Sequence, residues 1–308
     1  CEFIVQLSKL RKSSAESVEN TTAFDSFKEY LHVSTAFDSF KEYLHVERQV
    51  ELELKDILRN INANQSKCLV LLCGSAGDGK SHLISYLKNF DSEQLLTDYE
   101  PYNDATESSE PTLTSIDTLA EKLSSFNDDN INVEDGKKMI IAINLGTLNN
   151  FIDSEKGERF SKLKSYVEVN AIFSGYGQNV GYQADSIFQH VSFSDYQVFS
   201  LGSNGIETAF LDALFKKVFR KNMQNPFYTA FEQCGKCALC TRCPVRHNYE
   251  FLSIDANQKT IIERIVEIVI KDKAIVSTRE VLNLLYDLMV HPDFDPSQIR
   301  VVTSDVQY

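Results

Sequence analysis

The chain has 308 residues and 35.0 kDa, is 43% hydrophobic and 24% charged, and carries a formal net charge of −13. That balance excludes wholesale disorder and fibrous classes, and the length suits about two domains. The acidic excess argues against nucleic-acid binding by bulk electrostatics and leaves room only for a local basic patch.

The chain opens at Cys1 rather than Met, which reads as a fragment or an incomplete start. The basic cluster Lys9–Arg11–Lys12 is followed by serines and acids, so no signal peptide is expected. Thr22–Val33 and Thr35–Val46 are the same dodecamer, TAFDSFKEYLHV. On one continuous helix the second copy would be rotated by about 220°. One apolar stripe could not bury Phe24, Phe27 and Leu31 together with Phe37, Phe40 and Leu44. The repeat therefore reads as a tandem duplication with one packed copy.

Glu47 to Asn62 has helical periodicity, and Cys68–Cys73 is a short apolar run typical of a strand buried on both faces. The spacing predicts a helix over Lys80–Phe90, a short strand at Tyr99–Asn103 and a helix over Ser115–Phe126. In the last, Ile116, Leu119, Ala120 and Leu123 share one side. Met139–Asn144 is a second apolar strand. Alternating strands and helices indicate an α/β fold with a parallel sheet. Beyond Phe151 the chain turns more helical, with a strand at Gln197–Leu201 and a helix over Ile206–Lys221. Two further helices span Lys259–Val290 and join near Val276–Thr278. The most apolar run, Ile261–Val276, is broken by six charged residues and falls short of the ~20 apolar residues of a membrane span. A soluble, intracellular, cytoplasmic protein is expected.

Between the first strand and the next helix stands Gly74-Ser75-Ala76-Gly77-Asp78-Gly79-Lys80-Ser81, a match to G-x-x-x-x-G-K-[ST], the P-loop. Glycines let the backbone turn its N–H groups toward phosphate oxygens, and the helix adds the positive end of its dipole. Lys80 would reach the β- and γ-phosphates of ATP, Ser81 would ligate Mg²⁺, and His82 completes the candidate cradle. A hydrolytic P-loop enzyme usually carries Asp at the end of a second strand, whereas Met139–Ile143 ends in Asn144. Asn144 can orient water or contact a γ-phosphate, as a sensor Asn does in AAA-type ATPases, but supplies no charge. Asp104 and Glu107 are the nearest acids at a strand end and are candidates for the metal or its water, with helix capping as the alternative. Arg279, at the start of a late helix, is a candidate γ-phosphate contact, with a salt bridge to Glu280 or Asp287 as the cheaper explanation.

Cys234, Cys237, Cys240 and Cys243 lie at Cys-x₂-Cys-x₂-Cys-x₂-Cys spacing. In a chain without a secretory signal such clustering reads as metal binding. Four thiolates can close a tetrahedral Zn²⁺ site around a loop too small for its own core. The run is one residue short of a ferredoxin spacing, although Pro244 follows the last Cys, so zinc is favoured over an iron–sulfur cluster. Around it stand Lys216, Lys217, Arg220, Lys221, Lys236, Arg242 and Arg246 against Glu232. They offer a DNA-backbone contact on which Phe227, Tyr228 and Phe231 could stack bases. A basic helix face over an aromatic core is the alternative.

The segments Phe40–Arg48, Leu72–Leu83, Asn103-Asp-Ala-Thr-Glu-Ser108, Ala142–Phe151 and Cys243–Leu252 together resemble the DptF family. These are P-loop components of bacterial DNA phosphorothioation-dependent restriction systems. The resemblance runs from about Phe40 to Arg279. It implies a cytoplasmic ATPase that works with restriction partner proteins on DNA lacking the host's sulfur modification, touching DNA directly or through those partners. A homo-oligomer is compatible with it.

The expected organisation is a helical N-terminal segment with the repeat over 1–62, a P-loop NTPase core over 63–222, a Cys₄ metal insertion over 223–252 and a helical lid over 253–308. Three functions stay open: an ATP-hydrolysing restriction motor or switch, a nucleotide-gated regulatory module with little turnover, and a metal-stabilised DNA-binding adaptor. No nuclease motif is visible, so the chain alone is not expected to cut DNA.

Overall fold

A computed structural model describes residues 1–19, 40, 42–102, 114–173, 181–196, 198–203, 205–237 and 240–291. The chain forms two compact units, residues 21–197 and residues 1–20 with 198–308.

In the 21–197 unit four strands, β1 (Cys68–Cys73), β2 (Tyr99–Tyr102), β3 (Lys138–Ile143) and β4 (Phe188–Ser192), form one sheet in the order β2-β3-β1-β4. Every pairing is parallel. All six residues of β1 are buried, as its uninterrupted apolar sequence requires of a central strand. Alternate side chains divide between two cores. Leu69, Leu71 and Cys73 join Met139, Ile141 and Ile143 on one face, where helices α4 (Ser115–Lys122), α5 (Leu145–Ile152) and α6 (Ser161–Val169) supply Leu119, Phe151 and Leu163. Val70 and Leu72 join Ile140 and Ala142 on the other face, against Leu54, Ile57 and Ile61 of α2 (Gln49–Asn64) and Leu83 and Leu87 of α3 (Lys80–Asn89). The period-2 alternation of the strands thus feeds two apolar layers. Burial pushes the Cys68 thiol up to about 12, which marks it as core packing rather than chemistry.

β4 was not foreseen. It carries Gln189 and His190, both buried, where β1 and residues 139–143 of β3 carry only apolar side chains. Gln189 is satisfied locally: its amide donates to the carbonyls of Gln183 (2.7 Å) and Ser186 (2.9 Å), and its oxygen accepts from the Gln183 N–H (2.9 Å). His190 Nδ1 pairs with the Tyr166 hydroxyl at 2.8 Å. The expected strand near 197–201 is only the first arm of a two-stranded hairpin, β5 (Ser200–Gly202) with β6 (Gly205–Glu207).

The other unit is helical: α1 (Glu2–Glu19), α7 (Ala209–Phe219), α8 (Pro226–Cys234), α9 (Pro244–Leu252), α10 (Asp255–Asp272) and α11 (Thr278–Met289). Helix α1 packs against α8 and α11. Phe3 meets Phe231 and Tyr249 edge to face, with ring centroids 5.7 and 5.2 Å apart. Tyr249 buries its ring and donates its hydroxyl to the Val218 carbonyl at 2.8 Å. Ser277 and Glu280 form a capping box at the start of α11. Helix α7 and the residues assigned by sequence to a metal insertion and a lid all belong to this unit, together with α1. The first dodecamer copy lies outside the described residues, while Phe40 and Leu44 of the second are buried. Among the described residues no helix is long and apolar enough to cross a membrane.

Candidate functional site

Parallel strands place all their C-terminal ends on one edge, and β1 and β3 run in register from Cys68–Lys138 to Cys73–Ile143. The residues that follow them, Gly74 and Asn144, are therefore neighbours. The backbone turns sharply from β1 into α3. A Cβ at Gly74 would come 2.8 Å from Asp78 Oδ2 and 2.9 Å from Phe193 Cβ, so only glycine fits there. Gly79 caps α3 at φ 103°, in the left-handed region.

Lys80, the first residue of α3, is buried, and its ammonium curls back over the loop. Nζ donates to the carbonyls of Gly74 (3.1 Å) and Ser75 (2.7 Å) and to Asn144 Oδ1 (2.9 Å). Two residues singled out by sequence, 64 positions apart, thus share a hydrogen bond. The Asp78 carboxylate accepts from the Ser75 N–H at 2.5 Å and so occupies one of the loop's own anion donors. Ser81 and His82 follow on the first turn of α3, both half-buried.

A second layer escaped the sequence reading. Arg48, just ahead of α2, donates from Nη1 to the Asp78 carbonyl (3.0 Å) and from Nη2 to the Tyr196 carbonyl (2.8 Å). Its guanidinium lies 5.0 Å from the Phe193 ring centroid. Burial pushes its pKa down, while the Asp78 charge pulls it back up. The Tyr196 hydroxyl in turn donates to Glu53 of α2.

His45 lies flat on Tyr86, with ring centroids 3.4 Å apart and planes 9° from parallel. Its Nδ1 is 3.2 Å from His82 Nε2, and its Nε2 is 2.9 Å from the buried Glu51 Oε2. Lys55 Nζ stands 2.7 Å from the other Glu51 oxygen. Burial pushes the Glu51 carboxyl up, yet His45 and Lys55 outweigh it and hold the group below its ordinary value. His45 and Arg48 lie in the Phe40–Arg48 segment of the family resemblance, but a lone Arg or His before a helix carries no motif that assigns it a role, and Glu51 carries none either.

Other expected residues fare differently. Asp104 and Glu107 lie outside the described residues. Arg279 is the second residue of α11, in the 1–20/198–308 unit, and the Glu280 carboxylate is engaged by the Ser277 N–H and hydroxyl. Phe227 and Phe231 are buried in the helical core and offer no face to a base, which corrects the stacking expectation for these two rings, whereas Tyr228 is half-buried. Arg246, counted as a candidate phosphate contact, instead covers the Phe231 ring at 3.9 Å, donates to the Phe231 carbonyl and pairs with Glu250.

Cys234 ends α8 and is buried, Cys237 is exposed, and Cys240 and Cys243 are half-buried. Burial raises the Cys234 thiol, Cys243, Cys237 and Cys240 push it the same way, and Arg246 opposes them. A fifth cysteine joins them: Cys1 Sγ lies 3.7 Å from Cys234 Sγ, across a sequence separation of 233 that no spacing rule could bridge. Among the described residues no three His, Cys, Asp or Glu side chains stand at ligating distance from one another. No protein-family model, curated protein or solved structure matches the chain.

Proposed function

We propose that the 21–197 unit binds ATP with Mg²⁺ at residues 74–82 and hydrolyses it. In this reading the chain is the nucleotide-driven component of a bacterial DNA phosphorothioation-dependent restriction system of the DptF kind. One observation carries the nucleotide part. Lys80 Nζ, Asn144 Oδ1 and the glycine-lined backbone converge at the C-terminal edge of a parallel sheet, where open α/β folds place their ligands. Phosphate oxygens would take over the Lys80 ammonium from the loop carbonyls and would be oriented by Asn144, with Ser81 as a ligand to Mg²⁺. When bound, the ion supplies charge neutralisation at the phosphates. The restriction part rests on the order of the DptF-like segments. Partner proteins, contact with unmodified DNA, a cytoplasmic site of action and homo-oligomerisation come with that resemblance.

Zn²⁺ would be held by Cys234, Cys237, Cys240 and Cys243 and would cross-link a loop that has no core of its own. Their regular Cys-x₂ spacing supports this. Metal quantification on wild type and Cys234→Ser separates zinc, an iron–sulfur cluster and free thiols.

The deciding experiment is ATP turnover by purified protein, wild type against Lys80→Ala, with and without DNA. Turnover that disappears in the variant establishes the ATPase. Binding without turnover favours the second reading, a nucleotide-gated module, which the neutral Asn144 supports. Mg²⁺-dependent DNA cleavage by the chain alone would overturn the expectation that it is no nuclease.

A further inference from the structure

We propose that Arg48 is the positioning residue of the nucleotide loop, holding the Asp78–Gly79 peptide so that the Gly79 N–H is presented to a bound phosphate. The inference rests on the nucleotide reading above and deepens it. In a trans peptide the carbonyl of one residue and the N–H of the next point in opposite directions. Arg48 Nη1 holds the Asp78 carbonyl, so the Gly79 N–H is turned away from Arg48. That N–H has no acceptor among the described residues, and a Cβ at Gly79 would meet nothing within 4 Å. It is an unpaired donor at the N-terminus of α3, where backbone N–H groups attract an anion.

The fixing is rigid because Arg48 is anchored at both ends of its fork. Nη2 holds the Tyr196 carbonyl, the Phe193 ring lies under the guanidinium plane, and the Tyr196 hydroxyl is tied to Glu53. The loop after β1 is thereby tied to the segment after β4, the neighbour of β1 on the side opposite β3. A planar guanidinium holds two carbonyls at angles set by its rigid fork, whereas a lysine ammonium is a point charge on a flexible stem and imposes no such angles. A loop already ordered before phosphate arrives spends less of its binding energy on ordering.

The test is Arg48→Lys, which keeps the charge and loses the fork, with Phe193→Leu as a milder second variant that removes the ring beneath it. Backbone ¹⁵N relaxation of the ligand-free protein reads the loop directly. Order parameters of the 75–79 amides are expected to fall from about 0.85 in wild type to below about 0.6 in Arg48→Lys. Affinity for both ATP and inorganic triphosphate should weaken by about tenfold or more, and by about threefold in Phe193→Leu. A purely structural arginine would lower the melting temperature and leave loop order and affinity of the folded variants as in wild type. A rigid loop with affinities within about twofold of wild type overturns the proposal. Wild type that binds neither ligand overturns the nucleotide reading instead, while the relaxation measurement still decides whether Arg48 orders the loop.

Discussion

The 21–197 unit and the 1–20/198–308 unit are built by different means. In the first, strands of four to six residues stand side by side, and the residues that follow β1 and β3 meet because their strands do. In the second, helices close on one another through aromatic rings brought together from distant parts of the chain, Phe3 against Phe231 and Tyr249. The difference teaches where function can be read locally. A strand-end loop inherits its partners from sheet order, so a motif of eight residues carries much of its own geometry. A cluster closed across more than 200 residues carries none, and Cys1 beside Cys234 is the clearest instance.

The largest test of this contrast is Phe3→Ala. The ring is 1% exposed, and its loss should cost the helical unit about 3–5 kcal/mol. Calorimetry should show one transition moving down while that of the sheet unit stays in place. A shift of both together would mean that the two units unfold as one.

His190 gives the corresponding test for the sheet unit. Burial pushes its pKa down from 6.5 to about 4, so the native imidazole stays neutral where the unfolded one takes a proton. The unfolded state then binds more protons between these values. Stability is full above pH 6.5 and falls as the pH drops toward 4, by about 3 kcal/mol at most. Urea unfolding at stepped pH should show a shallower slope across this window in His190→Gln. An unchanged slope would show that the imidazole is already solvated in the folded protein.

Lys80→Ala should weaken ATP binding by about a hundredfold or more, because a charge-assisted contact to phosphate is removed. Titration calorimetry reads it directly. The metal content of the purified protein should not change, and a loss of metal in this variant would show that the two units depend on one another. The smallest effect is expected for Asp78→Asn. Removing a carboxylate from beside the phosphates should tighten ATP binding by about three- to tenfold, and weaker binding would show that this side chain supports the loop instead.

The parts of the fold legible in the sequence are those where burial is complete and apolar. β1 and most of β3 announce themselves as apolar runs, and α2, α3 and α4 follow from their stripes, whereas α5 carries no such signal of its own. β4 is equally buried but carries Gln189 and His190, whose burial is tolerable only because Gln183, Ser186 and Tyr166 supply hydrogen bonds. None of those partners can be assigned before the fold is known. The site divides in the same way. Lys80 and Asn144 stood out because each follows a recognisable strand, and strand adjacency joins them. Arg48, Tyr196 and the His45–Glu51 pair are ordinary residues made important by position alone. Phe227, Phe231 and Arg246 show the converse, since these three members of a suggestive basic and aromatic segment are taken up by helix packing.

The Asp78 carboxylate on the Ser75 N–H gives the site the character of an exchange reaction. In the proposed nucleotide site an incoming phosphate would displace a resident carboxylate, one oxygen leaving the Ser75 amide as another arrives. The net gain in hydrogen bonds is then smaller than the count of contacts in the filled site, and so is the net change in local charge. Association should be timed by the departure of the carboxylate rather than by encounter. The on-rate would then sit below the electrostatically steered limit and respond weakly to ionic strength.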